Sequence, residues 1–563
     1  MGNDTEGAGF DPASIRFGTD GWRAIIGEDF TVEHLARVAE AAALVFREDN
    51  PGFDAAIAAP DTLAGTADSD TSAATALAAL PLLYVGYDCR ENAGSYAVLA
   101  AVILASYGFR VLISDRYCPT PALCWSIAHN PQAVGGLILT SSHNPAEYLG
   151  VKLRMPDGGA SPKSFSDRVE AALSSELPAV FALAWTCAEA NRAAGEGAAP
   201  LATAQIVTAP SAPEQADASL EHSSEALHDN SEGLPIERVD ILTPYLKDLA
   251  SLVDADAIAA AELRVVVDPM FGAGRGYLAG VLSSLGVEVV EIHAGEDPSF
   301  AGLHPEPIFP WIAEALARTA ELGYDACFIT DGDADRIGAG ARDGSFVNPH
   351  RILALVCGLL VEDRGERGRV VRTLSGSSLI KRQCERLGLE LTTTPVGFKW
   401  IYEEMLRGDV ILGGEESGGI GIPSHVRERD GLLMALLLTE MMARKGKDLG
   451  ALVEELLDTL GHLEYARRDL RLSEEEKQRF LCEVCAAELG TEAYQARFAA
   501  LGERLVEIDY RDGIKFDCAS DAWLLARASG TEPLVRVYAE AASVEQVENL
   551  LDLGCSLVKG IGA

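Results

Sequence analysis

The sequence predicts an α/β protein of repeated parallel units, closed at its C-terminal end by a smaller α+β domain. Three observations predict it. Short apolar runs recur along the chain: LLYVGYD (82–88), FRVLISD (109–115), VGGLILT (134–140), LRVVVDP (263–269), VEVVEIH (287–293) and YDACFITD (324–331). Each adjoins an Ala/Leu-rich helical stretch such as SYAVLAAVILASYG (95–108), and strand–helix–strand at that spacing marks parallel sheets covered by helices. From about residue 465 charged helical segments give way to RLVEIDYRDGIKFDC, AWLLARAS and LVRVYAE, the strands of a short antiparallel sheet.

A chain of 563 residues holds several cores, because single cores stop growing near ~250–300 residues, so three to five domains are expected. Two stretches, about 51–80 and 174–236, are rich in Ala, Ser, Glu, Pro and Gly. They read as low-complexity insertions, flexible or loosely helical. The apolar share of 48% and charged share of 23% are those of a folded globular protein.

Net charge is −39. That field repels nucleic acid and anionic membrane, so neither is an expected partner. An anionic substrate would need a site of concentrated Arg, Lys and backbone N–H groups. The eleven cysteines show no disulfide framework, which fits a reducing compartment. Cys482 and Cys485 form a lone CxxC, read as two helical cysteines one turn apart. The N-terminus has neither a basic-then-apolar leader nor, with Glu6, a myristoylation pattern. No apolar run reaches the roughly 18 residues of a membrane span. The expected location is the cytoplasm.

Four clusters carry chemistry. In ILTSSHNPAEYLGVKL (138–153) a strand ends and releases Ser142 into a turn. That serine is a candidate nucleophile, with His143 and Lys152 near enough to carry protons or stabilise charge. In ITDGDADRIG (329–338), Asp331, Asp333 and Asp335 follow an apolar strand. Three carboxylates so close repel one another unless a cation neutralises them, and hard oxygen ligands suit Mg²⁺ or Ca²⁺. An EF-hand would need Gly and Glu where Arg336 and Arg342 stand. LGGEESGGIG (412–421) places Glu415 and Ser417 in a glycine-rich turn, where carboxylate and hydroxyl can grip sugar hydroxyls. RASGTEPLVRVY (527–538) sets Arg527 and Arg536 around a Ser-Gly-Thr turn, a combination that binds a phosphate dianion. Nucleophile, metal loop, polyol grip and phosphate clamp together are the parts of phosphoryl transfer on a phosphosugar.

These segments, with RFGTDGWRAIIGEDFT (16–31), GYDCREN (86–92), HPEP (304–307) and TPVGFKWI (394–401), span nearly the whole chain. In this order they resemble the α-D-phosphohexomutase superfamily of phosphoglucomutases and phosphomannomutases. The resemblance implies three related α/β domains with mixed sheets and a fourth, smaller one, arranged around a central cleft. The expected boundaries are 1–173, 237–341, 342–463 and 464–563, with the 174–236 insertion between the first two.

The resemblance also implies roles. Ser142 is the phosphorylated serine, and with its phosphate Asp331, Asp333 and Asp335 bind Mg²⁺. Arg23, His143 and Lys152 sit near the transfer centre, with Lys152 or His143 as proton carrier. Glu415 and Ser417 hold sugar hydroxyls, and Lys399 and Arg336 contact substrate. Arg527, Ser529, Gly530, Thr531 and Arg536 bind the phosphate not being transferred. The implied reaction interconverts hexose 1- and 6-phosphates, glucose first and mannose as alternative, with hexose 1,6-bisphosphate as activator. The partner is a small phosphosugar, and the protein is a monomer or homodimer. Some relatives carry a histidine after the Glu-x-Ser-Gly loop; Gly419 stands there, so that role is lost or falls to His425. A metal-dependent sugar phosphatase could share the aspartate loop, but would need neither the sugar grip nor Ser142; a non-catalytic phosphosugar-binding relative is the other alternative, set against catalytic positions that are all intact.

Overall fold

The computed structural model describes residues 11–18, 20–50, 80–194, 234–486, 489–529 and 534–560. Four sheets organise them. The first contains β1 (Trp22–Ile25), β2 (Leu82–Tyr87), β3 (Arg110–Ser114), β4 (Ala133–Leu139), β5 (Tyr148–Arg154) and β6 (Ile236–Val239), in the order β1-β5-β4-β2-β3-β6. The second contains β7 (Arg264–Asp268), β8 (Glu288–Glu291), β9 (Ala326–Thr330), β10 (Ile337–Ala341) and β11 (Phe346–Val347), in the order β11-β10-β9-β7-β8. The third contains β12 (Arg369–Thr373), β13 (Leu391–Thr394), β14 (Val410–Gly414) and β15 (Ile420–Gly421), in the order β13-β12-β14-β15.

One plan recurs in all three. A central strand (β2, β7, β12) pairs in parallel with the next in sequence (β3, β8, β13) and with the one after (β4, β9, β14). The third strand then turns back into an antiparallel neighbour (β5, β10, β15). The central parallel strands β2, β7 and β12 are almost wholly buried, as sheets covered by helices require. The three turn-backs are 140–147, 331–336 and 415–419, the first three motif loops. The fourth sheet is antiparallel throughout: β16 (Glu464–Arg471), β20 (Leu534–Ala541), β19 (Trp523–Ala528), β18 (Ile514–Cys518) and β17 (Leu505–Asp509), side by side in that order.

The first three units share a continuous apolar core from Leu82 and Tyr84 through Phe328 to Leu436 and Leu463. The helix Gly431–Lys445 is its axis, buried from Gly431 to Met442. The fourth unit has a separate core around Phe498, Phe516 and Leu551. It meets the third through a small patch of Leu374, Trp523, Leu525 and Tyr538 and through Glu540, which accepts 2.7 Å hydrogen bonds from Ser378 N and Trp523 Nε1.

The expected boundaries need two corrections. Part of the 174–236 stretch is regular: the helix Phe181–Ala194 buries Ala184 and Ala188 and packs on the helix Ala93–Ser106. Small side chains allow that close approach, and an alanine-rich composition hides it. The end of the same stretch enters β6, which pairs in parallel with β3, so position 236/237 cuts a strand of the first sheet. Position 341/342 also precedes β11, which still belongs to the second sheet. The remaining stretch of the second insertion, 195–233, and nearly all of the first, 51–79, lie outside the described residues. Cys482 and Cys485 are unbonded thiols within the helical segment Phe480–Cys485. Among the described residues no helix is long and apolar enough to cross a membrane.

Candidate active site

Ser142 sits where β4 ends, in a left-handed conformation with φ 50°. Its N–H donates to Thr140 Oγ1 at 2.8 Å, and its Oγ donates to Asp331 Oδ2 at 2.9 Å. Arg90 anchors the loop. Its guanidinium donates to the carbonyls of Ser142 (2.8 Å), Asn144 (2.6 Å), Pro145 (2.5 Å) and Tyr148 (3.0 Å), while Asp88 holds its Nε at 3.1 Å. Gly332 lies against the same turn: a Cβ there would meet the Ser142 carbonyl oxygen at 2.4 Å. Only glycine allows the aspartate loop to come this near the serine.

Asp331, Asp333 and Asp335 are buried, and their carboxylate oxygens lie within 4.8 Å of one another. Burial, then Asp333 and Asp335, push the Asp331 carboxyl well above the usual range. Burial opposes ionisation of Asp333 too, but Lys152 Nζ at 2.7 Å and Thr120 Oγ1 at 2.6 Å hold it low. Lys152 Nζ also reaches Asp335 at 2.9 Å and Asp20 at 2.9 Å. Burial disfavours its charge, yet the three carboxylates raise it above an ordinary lysine. Asp333 Oδ1 and Asp335 Oδ1 are buried without a hydrogen-bond partner. Orphaned carboxylate oxygens aimed at one spot, all hard donors, fit a small divalent cation.

The remaining predicted residues gather around this centre. Arg23, on β1, donates to Asn144 Oδ1 at 2.7 Å. His143 stacks parallel to His304 at 6.2 Å; burial, Arg336 and Arg23 drive its imidazole well below its usual value, leaving it neutral. Arg336 Nη1 donates to Glu306 Oε1 of the HPEP turn at 3.2 Å. Ile337 N donates to Gly418 O at 3.0 Å, joining the aspartate and sugar loops through backbone. Glu415 is buried, and that burial pushes its carboxyl up to about 7 against the pull of Arg429. Ser417 is half-buried on the same turn.

The residues expected to clamp phosphate are on the fourth sheet. Arg527 Nε pairs with Asp512 Oδ2 at 2.7 Å, and Arg536 Nε lies 3.9 Å from Asp469 Oδ2. Ser529 is buried, and its N–H donates to Leu534 O at 2.9 Å. Gly530 and Thr531 lie outside the described residues. Lys399, over the Trp400 ring at 5.1 Å, feels the charges of Lys163 and Arg527. Arg536 in turn contributes to the field at His143.

Sequence reasoning missed the residue that joins the loops. Arg429 Nη2 pairs with Asp20 at 2.5 Å and Asp335 at 2.6 Å, Nη1 lies 3.5 Å from Glu415, and Nε pairs with Glu428 at 3.0 Å. One guanidinium thus touches all three repeats. Asp20 and Glu306 stand inside quoted motifs, FGTDGWR and HPEP, and Arg429 inside the run GEESGGIGIPSHVRERDG (414–431) that continues the sugar-loop motif, which was the available signal; Thr120 gave none. His425 does not replace the missing loop histidine. Its ring is held between Asp430 (3.0 Å) and Asp248 (3.4 Å), beside Tyr245, whose hydroxyl donates to Asp430 at 2.9 Å.

That sandwich has a pH signature. Burial opposes charge on His425, but Asp248 and Asp430 outweigh it and raise the imidazole to about 9. A pKa raised on folding stabilises fully below the unfolded value of about 6.5 and is lost as pH climbs through the folded one. The thermal midpoint should fall between about pH 6.5 and 9, and His425→Gln should flatten that fall. A variant curve parallel to the parent's would refute this.

Three repeated α/β units that give their turn-backs to one carboxylate-and-serine centre, with an arginine-bearing fourth sheet, define an α-D-phosphohexomutase architecture. The chain belongs to the phosphoglucomutase/phosphomannomutase family. Family descriptions of alpha/beta/alpha domains I, II and III match residues 64–179, 243–344 and 348–460, and the C-terminal domain matches 482–553. A phosphoglucomutase/phosphomannomutase of Thermococcus kodakarensis is 30% identical over 487 residues, 85% of this chain and 90% of its own. A phosphoglucosamine mutase of Carboxydothermus hydrogenoformans is 26% identical, covering 95% and 97%. A crystal structure from Thermus thermophilus, assigned as a phosphomannomutase, superposes with TM-score 0.72 at 31% identity, covering 97% and 99%. This chain is accordingly an intramolecular phosphotransferase of the mutase type.

Proposed function

We propose that the protein interconverts hexose 1-phosphate and hexose 6-phosphate, glucose in first place, through a phosphoserine at Ser142. The observation that carries this reading is the Ser142 Oγ, 2.9 Å from Asp331 within the buried carboxylate trio. The serine phosphoryl passes to a hydroxyl of the bound sugar phosphate, giving a hexose 1,6-bisphosphate. This turns over in place and returns its other phosphoryl to Ser142. Mg²⁺, held by Asp331, Asp333, Asp335 and the serine phosphate, supplies charge neutralisation on the transferring oxygens when bound.

The chain's own groups do the rest. Arg23 adds positive charge beside the transfer centre. Lys152 and His143 are the candidate proton carriers, the first charged and the second neutral. Glu415 and Ser417 hold sugar hydroxyls, with Lys399 and Arg336 as further contacts. Arg527, Ser529, Gly530, Thr531 and Arg536 hold the resting phosphate. Free hexose 1,6-bisphosphate recharges a bare serine and so acts as activator.

The test uses purified protein, Mg²⁺, glucose 1-phosphate and a trace of glucose 1,6-bisphosphate. Glucose 6-phosphate should form without matching free phosphate; stoichiometric inorganic phosphate would point to a phosphatase instead. Mannose 1-phosphate and glucosamine 1-phosphate run in parallel address the substrates named by the relatives, and a higher kcat/KM for either would displace glucose.

A further inference from the structure

β16, β20 and β19 lie side by side, and their register sets Arg467 opposite Tyr538, Asp469 opposite Arg536, and Arg536 opposite Arg527. Side chains two apart on a strand share a face, so Arg467, Arg536 and Arg527 project from the same side of the sheet. That side also carries Leu525 and Tyr538, which pack on Leu374 of the third domain. Arg467 is diagonal to Arg536, within reach of a long side chain. Asp469 stands between them, 3.0 Å from Arg467 Nε and 3.9 Å from Arg536 Nε, and so spaces the two guanidinium groups.

Among the described residues Asp469 is the one carboxylate within ion-pair distance of Arg467. Its guanidinium also faces the field of Glu306, in the HPEP turn, beside Arg336. Arg467 therefore shares the sheet face of Arg527 and Arg536 and carries its charge within the field of Glu306. A phosphate dianion entering a protein of net charge −39 needs more cation than Arg527, already paired with Asp512, and Arg536 provide.

We propose that Arg467 is a third guanidinium of the phosphate subsite, gripping with Arg527 and Arg536 the sugar phosphoryl group that is not transferred. This rests on the mutase reading above. A guanidinium fork on phosphate is a charge-assisted, bidentate contact, and losing one such contact costs on the order of tenfold or more in affinity.

The probe is inorganic phosphate, its dissociation constant measured calorimetrically in EDTA so that no metal-bound phosphate contributes, with steady-state kinetics alongside. Arg467→Gln should weaken phosphate about tenfold and raise KM for the sugar phosphate similarly, with a smaller change in kcat. Arg467→Lys should recover part of both. Arg468→Gln, whose parent side chain pairs with Glu548 and Asp552, serves as the equal-charge control and should stay near the parent. Phosphate affinity and KM within twofold of the parent in Arg467→Gln would overturn the proposal, as would an equal loss in Arg468→Gln. Should the Gln variant not fold, Arg467→Met, which keeps the apolar stem, is read by the same criteria. Absence of mutase activity in the parent would refute the proposed function alone, because phosphate binding is read without turnover.

Discussion

Ser142→Ala should abolish phosphosugar interconversion, by at least about 10⁴-fold, because no other group can take the nucleophile's part. Ser141 is the nearest alternative in sequence, but its buried hydroxyl has no hydrogen-bond partner, whereas Ser142 Oγ donates to Asp331 of the carboxylate trio. Its backbone is held by Arg90 through four carbonyls, so the alanine variant should fold as the parent does and keep its affinity for sugar phosphate. Ser141→Ala should lose less than about tenfold, since it removes no group from the centre. The check is intact mass and peptide mapping after incubation with hexose 1,6-bisphosphate. Parent and Ser141→Ala should gain one phosphoryl group on the peptide that spans Ser142, and Ser142→Ala none. Residual flux in Ser142→Ala, or label elsewhere, would refute the phosphoserine.

The second large effect has opposite signs for activity and stability. Asp331→Asn keeps the size of the side chain and an acceptor for Arg336 N, 3.0 Å from Asp331 Oδ1, while removing one of three crowded charges. Burial and the neighbouring carboxylates already raise the Asp331 carboxyl, so its ionised form is unfavourable in the metal-free protein. The variant should melt above the parent in EDTA. With Mg²⁺ the order should reverse: the parent's midpoint should rise with metal by mass action and the variant's far less, and turnover should fall by about 10³-fold. Equal metal-induced shifts in both proteins would remove Asp331 from the metal's ligand set.

Much of this site is legible in the sequence because each of its first three loops is contiguous and follows a strand. TSSHNP, DGDAD and GEESGG each fall at the end of an apolar run, and the repeated topology carries all three to one place. What connects them is not contiguous. Thr120, Arg90 and Arg429 act through contacts with Asp333, the serine loop and Asp20 that span tens to hundreds of residues, and no local pattern announces such pairs. Arg467 escaped for another reason: its strand reads as an ordinary charged edge, and only the register with β20 places it beside Arg536. The stretch before β6 was misread because an alanine-rich helix packed through Ala184 and Ala188 has the composition of a linker.

The division of the apolar interior has a consequence for turnover. The first three units are fused by one core, while the fourth keeps its own and leans on the third through a small apolar patch and polar contacts such as Glu540 with Ser378 and Asp521 with Lys381. The seam between the third and fourth units therefore has the least apolar contact to break, while Ser142, Asp331 and Glu415 all belong to the units that share one core. Because Arg527 and Arg536 stand on the sheet face that carries this patch, an anion bound by both would draw the fourth unit toward the other three.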